Sequence, residues 1–239
     1  MQINAKDLDH RQINDRIRDV KESVLIDGCL GQRFIAAGMS EKDIAIKGTP
    51  GNALGAYLNG AVITVMGNAQ DAVGDTMNEG SIIVHGNIGD AAGYAMRGGS
   101  IFVKGDAGYR AGIHMKEYED KIPVIVIGGR AGSFLGEYQA GGIIIVLNLW
   151  EREKKIIGSF PCTGMHGGKM FLRSDPEDIV FPEQVTARPA LKEDLLMIRS
   201  HVLKFSELFD TDAEEIMKGA FTVITPDSSN PYKQMYVQN

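Results

Sequence analysis

The chain has 239 residues, a formal net charge of −6 and a pI near 5.4. This length allows one domain with a sizeable core, and the acidic balance argues against nucleic acid or an anionic membrane surface as a partner. Its two cysteines, Cys29 and Cys162, are too few for a disulfide framework, a four-cysteine zinc site or a self-contained iron–sulfur cluster. Charged residues occupy much of the first twenty positions and the aliphatic runs are short, so we expect no signal peptide, no membrane span and a cytoplasmic location.

The N-terminal segment 1–23 is predicted to form a helical cap. Its apolar residues recur at helical spacing within "DLDHRQINDRIRDVKES"; they are Leu8, Ile13, Ile17 and Val20. An open β-structure needs such caps, because its unpaired strand edges would otherwise recruit other chains.

Residues 24–175 contain a repeat with a period of 19 residues. Short apolar runs such as "SIIVHG" and "SIFVKG" end on glycines at 48, 67, 86 and 105, and a second glycine series follows seven residues later at 55, 74, 93 and 112. Glycine is abundant: it accounts for 29 of the 239 residues, well above the average share of about 7%. A fixed period near 20 residues is typical of a solenoid, and here it predicts about six or seven turns of 19–20 residues.

The repeat favours a parallel β-helix over other solenoids. Each unit holds one short alternating strand and no helical stretch of ten residues, and the Leu/Asn pattern of leucine-rich repeats is absent. We therefore predict an all-β fold, a single-stranded right-handed parallel β-helix with short helical caps at both ends. The right hand is expected because parallel crossovers are overwhelmingly right-handed.

One stretch, "GNIGDAAGYAMRGG" (86–99), resembles a phosphate-binding loop. A nucleotide loop occurs once, at a strand-to-helix junction, whereas this glycine pattern recurs five times, leads into strands and lacks a GK[ST] sequence. We therefore assign these glycines to the corners of the solenoid.

Equivalent positions in successive turns predict two kinds of stacking. Ten residues after the first glycine, the turns place Leu58, Met77, Met96 and Met115, which we expect to form an internal stack. Corner residues are also equivalent: Asp71 with Asp90, and Asn68 with Asn87 and Asp106. The calcium-binding nonapeptide pattern is missing, so these side chains are expected to bond backbone groups at the turns.

Two insertions interrupt the period, at 116–121 ("KEYEDK") and at 151–163, and such loops often carry contacts.

The C-terminal region 190–239 is predicted to form a helical cap and tail. Residues 193–209 carry an apolar stripe at helical spacing, and "TDAEEIMKG" predicts a second helix with Thr211 and Glu214 as a capping box and Gly219 as its stop. The tail "TVITPDSSNPYKQMYVQN" is expected to be extended, and we treat 1–239 as a single domain.

The residues offer little chemistry of their own. His85, His114 and His166 lack the spacing of metal ligands, and Cys162 with His166 lacks a third, orienting group for nucleophilic catalysis. We therefore predict no catalytic, cofactor-binding or metal site, with no flavin, nucleotide or iron–sulfur cluster bound. Tyr109, Arg110 and His114 are expected to lie in an ordinary solvated loop, with a partner surface as the alternative.

The repeat resembles the GXGXG-repeat domain of the glutamate synthase large subunit, here as a stand-alone chain. The similarity runs from residues 13–18 to the "NPYKQMYV" tail, and "GYRAGIHMKEY" and "TGMHGG" resemble the glutamate synthase version most closely. The same repeat occurs in one of the subunits of formylmethanofuran dehydrogenase. In the glutamate synthase family this domain is a scaffold without catalytic residues, packed against an FMN- and iron–sulfur-containing synthase domain and a glutamine amidotransferase domain.

The resemblance implies a non-catalytic scaffold subunit of a multi-chain glutamate synthase, an oxidoreductase of nitrogen assimilation that converts glutamine and 2-oxoglutarate into two glutamates. The implied partners are separate amidotransferase and FMN/iron–sulfur subunits, with a homo-oligomer also possible. The alternatives are a scaffold like the GXGXG-repeat subunit of formylmethanofuran dehydrogenase or a related redox complex, and a free-standing binding module or unrecognised enzyme.

Overall fold

In the part of the chain that the structure describes, nine short strands stack in parallel, one above the other, to form a β-solenoid of about eight turns. The computed structural model describes residues 1–150, 155–175 and 179–228. The parallel strands are β1 (Gln2–Asn4), β2 (Val24–Leu30), β3 (Asp43–Thr49), β4 (Asn59–Val65), β5 (Glu79–Val84), β6 (Ser100–Val103), β7 (Val124–Ile127), β8 (Ala140–Val146) and β9 (Gly167–Leu172). The predicted all-β solenoid is confirmed. It has more turns than the six or seven predicted, since the three residues of β1 are too few to reveal a strand in the sequence.

The stacking follows the 19-residue period residue by residue. Ile63 pairs with Ile82, and Ile82 pairs with Ile101, so identical side chains lie directly above one another inside the solenoid. The insertion at 116–121 does not disturb this register, because Ile101 pairs next with Ile125. All four isoleucines are fully buried, and together they form one continuous hydrophobic ladder.

The predicted internal stack is confirmed, since Leu58, Met77, Met96 and Met115 are fully buried. In the next turn its place is taken by Gln139, which is also fully buried. The Gln139 amide donates to the carbonyls of Gly141 and Gly142, at 3.1 Å each. These carbonyls lie where the register of β8 against β9 shifts, between Ala140 and Ile143. A glutamine there satisfies two carbonyl groups that the irregular ladder leaves available.

The corner Asn and Asp residues bond between turns rather than within them. Asn68 Oδ1 accepts from the Asn87 N–H at 2.8 Å, and Asn87 Oδ1 accepts from the Asp106 N–H at 2.8 Å. The carboxylate of Asp71 accepts from the Asp90 N–H in the same way, at 2.9 Å. The prediction that these side chains bond backbone groups is therefore confirmed.

These side-chain ladders also explain the glycines of "GNIGDAAGYAMRGG". A Cβ on Gly86 would lie 2.2 Å from Asn68 Oδ1, and a Cβ on Gly89 would lie 2.1 Å from Asp71 Oδ1. Each glycine leaves room for the polar side chain of the turn below. The assignment of these glycines to solenoid corners is confirmed.

Two antiparallel strands extend the sheet at its C-terminal end. Strand β11 (Thr222–Pro226) pairs with β9, and β10 (Val185–Pro189) pairs with β11, so the order is β1 to β9, then β11, then β10. The extended conformation predicted for the start of the tail is confirmed for β11. The rest of that tail, from residue 229, lies outside the described residues, as do 151–154 of the second insertion and 176–178.

The N-terminal helix covers the interior of the first turns. Helix α1 (His10–Arg18) begins at Asp9, whose carboxylate accepts from the Gln12 N–H at 2.8 Å while the Gln12 side chain accepts from the Asp9 N–H. Ile13 and Ile17 are fully buried and join the core that continues through the solenoid. The apolar spacing of this segment predicted the helix correctly.

Helix α2 (Lys192–Phe209) packs on the outer face of the strand stack. Its buried residues Ile198, Val202 and Phe205 share a second core with outward-facing residues of β5 to β9, such as Phe102 and Val126. The ring of Phe205 lies over Gly128, where a Cβ would be only 2.5 Å from Cζ. The middle of the sheet is therefore buried on both faces.

A short helix, α3 (Ala213–Met217), follows α2. The capping residue predicted for it was wrong. Asp212 caps this helix by accepting from the N–H groups of Glu214 and Glu215, at 2.9 and 3.1 Å. The Thr211 hydroxyl instead donates to the Ser206 hydroxyl of α2, at 3.2 Å. A carboxylate at this position also interacts favourably with the positive end of the helix.

The two insertions lie at opposite ends of the stacked strands. Lys121 in the first forms an ion pair with Glu79, the first residue of β5, at 2.9 Å. The second insertion begins beyond Asn148 and Trp150, which follow the last residue of β8. In the described part of the chain, no helix combines the length and apolar character needed to cross a bilayer.

Candidate partner-binding surface

Each turn of the solenoid contains a ribbon in which left-handed residues alternate with ordinary ones. In one turn these are Ala91, Gly93 and Ala95, with φ of 56°, 66° and 49°. The N–H groups of Ala91 and Ala95 donate to backbone carbonyls of the next turn, at 2.7 and 2.9 Å. The N–H of Gly93 donates to a backbone carbonyl of the previous turn, at 2.7 Å. Ala92 is fully buried, and a Cβ on Gly93 would meet Ile125 inside the solenoid, so positions 92 and 93 face inward. Ala91 and Ala95 are partly exposed and face outward.

A left-handed conformation costs a residue with a Cβ roughly 1–2 kcal/mol, and such strain often marks a functional site. Here the strain recurs from turn to turn and is offset by hydrogen bonds to neighbouring turns, so it belongs to the fold. What changes along the solenoid is the size of the outward side chain. The row through Ala91 starts at Phe34, continues with alanine, and then holds Arg110, Phe134 and Phe160, all with φ near 60°.

The large side chains at the later end of this row stack on one another. The Arg110 guanidinium lies 4.8 Å from the centroid of the Phe134 ring, and its Nε donates to Glu137 at 2.9 Å. The rings of Phe134 and Phe160 stack with centroids 5.3 Å apart and an interplanar angle of 27°. Phe160 remains 65% exposed, which leaves a large apolar side chain facing solvent at the end of the stack.

A second row, four residues further along each turn, holds Ala95, His114 and Tyr138. Tyr94, one residue before Ala95, packs against this row. His114 stacks on Tyr138 with centroids 5.1 Å apart and an angle of 9°, and Tyr94 packs edge-on against His114 at 5.8 Å. The next turn has Gly164 at this position, where a Cβ would lie 2.4 Å from the Tyr138 ring. We call Tyr94, Arg110, His114, Phe134, Tyr138 and Phe160 the aromatic surface.

The sequence pointed to part of this surface, but only as the alternative to an ordinary solvated loop. Arg110 and His114 lie on it, and Tyr109 lies beside it with its side chain about half exposed. Phe134 and Phe160 were missed because the insertions separate them from Arg110 by 24 and 50 residues instead of multiples of 19. Aligning the turns on Gly112, Gly136 and Cys162 would have shown the equivalence.

A cleft of about 760 Å³ opens next to Phe160. It lies beyond the ends of β8 and β9, between residues 155–163 of the second insertion and residues 179–182. Most of its described lining is apolar, including Ile156, Phe160 and Val180. The polar residues of the described lining are Asn148, Lys155, Ser159, Thr163 and Ser174. Among them, Asn148 Oδ1 and Ser174 Oγ are buried without a hydrogen-bond partner among the described residues.

Cys162 occupies a structural position. The Cys162 N–H donates to the backbone carbonyl of Leu135, and in the previous turn the Gly136 N–H donates to the carbonyl of Ala111 in the same way. Cys162 therefore occupies the position that is glycine in the earlier turns. The thiol is fully buried 3.8 Å from the sulfur of Met170, and burial raises its pKa to about 12. The nearby His166 ring bonds the Gly164 carbonyl at 2.9 Å. A thiol that stays protonated is a poor nucleophile, which agrees with the interpretation from the sequence.

We expect Cys162 to resist iodoacetamide at pH 8 in the folded protein. With a pKa of about 12, its thiolate fraction at this pH is about one in ten thousand, against about one in ten for an ordinary thiol of pKa 9. The buried Cys29, whose pKa burial raises to about 11, should also react slowly. Mass spectrometry of alkylated protein, native and in guanidinium chloride, measures this. Rapid modification of native Cys162 would contradict the assignment.

The three histidines considered as metal ligands lie in different surroundings. His85 packs edge-on against Phe209 at 5.2 Å, and burial lowers its pKa. His114 belongs to the aromatic surface, and His166 bonds a backbone carbonyl. Within residues 1–150, 155–175 and 179–228, no three His, Cys, Asp or Glu side chains are grouped so that they could hold a metal ion.

The sequence profile of the GXGXG motif matches residues 4–226. The chain belongs to the GXGXG family. The predicted membership of this repeat family is thereby confirmed. A curated relative, an uncharacterized protein of Methanocaldococcus jannaschii, is 41% identical over 248 residues, covering 98% of this chain and 95% of that protein.

A solved structure shares the fold of this GXGXG chain. It is a chain of the formyltransferase/hydrolase complex of Methylorubrum extorquens, solved in complex with methylofuran. The TM-score is 0.62 with 22% sequence identity, and the match covers 84% of this chain and 71% of that one. At this identity the similarity establishes a common solenoid fold.

Proposed function

We propose that this GXGXG chain is a non-catalytic scaffold subunit of a multi-chain enzyme complex and that the aromatic surface binds a partner chain. The observation that carries the proposal is the change along one row of outward positions. The fold is satisfied by alanine at Ala72 and Ala91, yet the later turns hold Arg110, Phe134 and Phe160 there. Aromatic residues and arginine are enriched where protein interfaces gain most of their binding energy.

The complex that the comparisons favour is one that transfers or oxidises a formyl group. The similar solved chain is part of a formyltransferase/hydrolase complex, and the GXGXG repeat resembles that of formylmethanofuran dehydrogenase. In such a complex this chain would position the partner chains that carry out the chemistry. Its own buried thiols and architectural glycines fit a supporting role.

A second candidate is a multi-chain glutamate synthase. The segments that resemble that family, "GYRAGIHMKEY" (108–118) and "TGMHGG" (163–168), are far apart in sequence. The fold brings them together, because His114 and Gly164 contact the same ring, that of Tyr138. The resemblance therefore concerns the aromatic surface itself. The partners would then be FMN/iron–sulfur synthase and glutamine amidotransferase chains.

Co-expression with each set of partner chains from the same source tests the proposal. One set contains formyltransferase/hydrolase and formylmethanofuran dehydrogenase chains, and the other contains the amidotransferase and FMN synthase chains. We expect a tagged copy of this chain to co-purify in fixed stoichiometry with the first set and to be inert alone. Co-purification with the second set, together with glutamine-dependent glutamate synthesis, would favour the second candidate. Purification of the chain alone in both cases would contradict the scaffold role.

A further inference from the structure

The cleft beside Phe160 has the features of a peptide-binding site. Its volume of about 760 Å³ is within the range of pockets that enclose a ligand, roughly 300–1,000 Å³. Lys155 is the one charged side chain among its described lining residues.

The polar groups of the cleft call for a hydrogen-bond donor. Asn148 is only 8% exposed, and its Oδ1, which can only accept, has no partner among the described residues. Ser174 Oγ, in the same cleft, is also buried and unpaired within the described part of the chain. A buried polar atom without a partner costs roughly 1–3 kcal/mol, so an incoming N–H group would remove a standing penalty.

Asn148 is held in place by its backbone. The Asn148 N–H donates to the backbone carbonyl of Gly129 at 3.0 Å, and the Leu149 N–H donates to that of Gly128 at 2.8 Å. These two hydrogen bonds fix the main chain as it leaves β8. Asn148 has φ of 46°, a left-handed conformation that asparagine tolerates better than most residues. The unpaired acceptor therefore belongs to a residue whose backbone is held rigidly in the solenoid.

The rim of the cleft is continuous with the aromatic surface. Phe160 lines the cleft and stacks on Phe134, while Val180 lines it on the other side and is 91% exposed. A partner seated on the aromatic surface would extend over this rim. The occupant most consistent with apolar walls and unpaired acceptors is a segment of that same partner, since a peptide backbone supplies N–H groups along its length.

We propose that the cleft binds an extended peptide segment of the partner protein, with a backbone N–H of that segment donating to Asn148 Oδ1. This assignment rests on the proposed scaffold function. The cleft adds a specific anchoring point to that function. It would recognise one segment of the partner, whereas the aromatic surface would bind through a broad contact area.

Photo-crosslinking within the assembled complex tests the assignment. The probe is p-benzoylphenylalanine at Val180, with a control at Leu30, which is 84% exposed in an early turn. We expect crosslinks from position 180 to one short segment of the partner and none from position 30. A complex without a crosslink from 180, or with crosslinks only to a second copy of this chain, overturns the cleft assignment and leaves the scaffold function standing. Failure to form any complex overturns both.

The variant Ser174→Ala supplies an independent measurement. Removing an unpaired hydroxyl should leave the melting temperature of the free chain unchanged or slightly higher, whereas the dissociation constant of the complex should rise about fivefold to tenfold. Asn148→Gly, which keeps the left-handed backbone accessible, should weaken the complex at least as much. Unchanged affinity in both variants would overturn the proposed hydrogen bonding.

Discussion

Replacing Gly93 with valine should lower the melting temperature by about 4–20 °C or prevent folding. Gly93 has φ of +66°, and a Cβ there would lie 2.5 Å from Ile125 Cδ1 inside the solenoid. Left-handed strain of about 1–2 kcal/mol adds to overpacking of about 1–3 kcal/mol. For a chain of this size each kcal/mol shifts the melting temperature by roughly 2–4 °C. Thermal unfolding followed by circular dichroism gives the result.

Gly38→Val is the matched control for this substitution. Gly38 has nearly the same φ, +67°, but an added Cβ would meet nothing within 4 Å. The control carries the conformational strain without the clash, so its loss of stability should be clearly smaller. Equal losses of stability in the two variants would show that the interior contact of Gly93 is misassigned. An unchanged melting temperature in Gly93→Val would contradict the assignment of Gly93 to a solenoid corner.

Replacing Phe205 with alanine should cost about 3–5 kcal/mol, the range observed for buried aromatic residues. Phe205 is fully buried, packs against Phe209 with centroids 4.7 Å apart, and sits over Gly128. Its removal leaves a cavity between α2 and the sheet. The midpoint of guanidinium unfolding should fall accordingly, because the second core holds α2 in place.

Leu203→Ala on the same helix is the control for Phe205→Ala. Leu203 is 45% exposed, so its loss should change the free energy of unfolding by less than about 1 kcal/mol. Similar midpoints for Phe205→Ala and Leu203→Ala would contradict the packing of α2 on the outer face of the sheet.

The solenoid could be predicted from the sequence because its geometry is local and repeated. Glycines mark each corner, and one short strand lies between them, so the period alone identifies the turn. The packing of α2 could not be derived in that way, since an apolar stripe on a helix does not say which surface it covers. A signal was nevertheless present. Strands β3 and β4 alternate between buried and more exposed residues, whereas Val124–Ile127 of β7 is apolar throughout, as expected for a strand buried on both faces.

The candidate site was predictable only where the period is intact. Arg110 and His114 lie in regular turns, so their outward positions followed from the repeat. Phe134 and Phe160 lie beyond the insertions, and their contacts depend on how the chain returns to register after each one. The cleft depends on two segments that carry no repeat at all, and its unpaired acceptor at Asn148 is visible only in three dimensions.

The most direct test compares Phe160→Asp with Phe34→Asp for binding to the partner chains. The two phenylalanines occupy equivalent outward positions at opposite ends of the same row, with φ of 58° and 54° and exposures of 65% and 46%. Isothermal titration calorimetry should show affinity at least about tenfold weaker for Phe160→Asp and unchanged for Phe34→Asp, with both variants folded. Equal affinity of the Phe160→Asp variant and the unaltered chain would contradict the claim that the aromatic surface binds the partner.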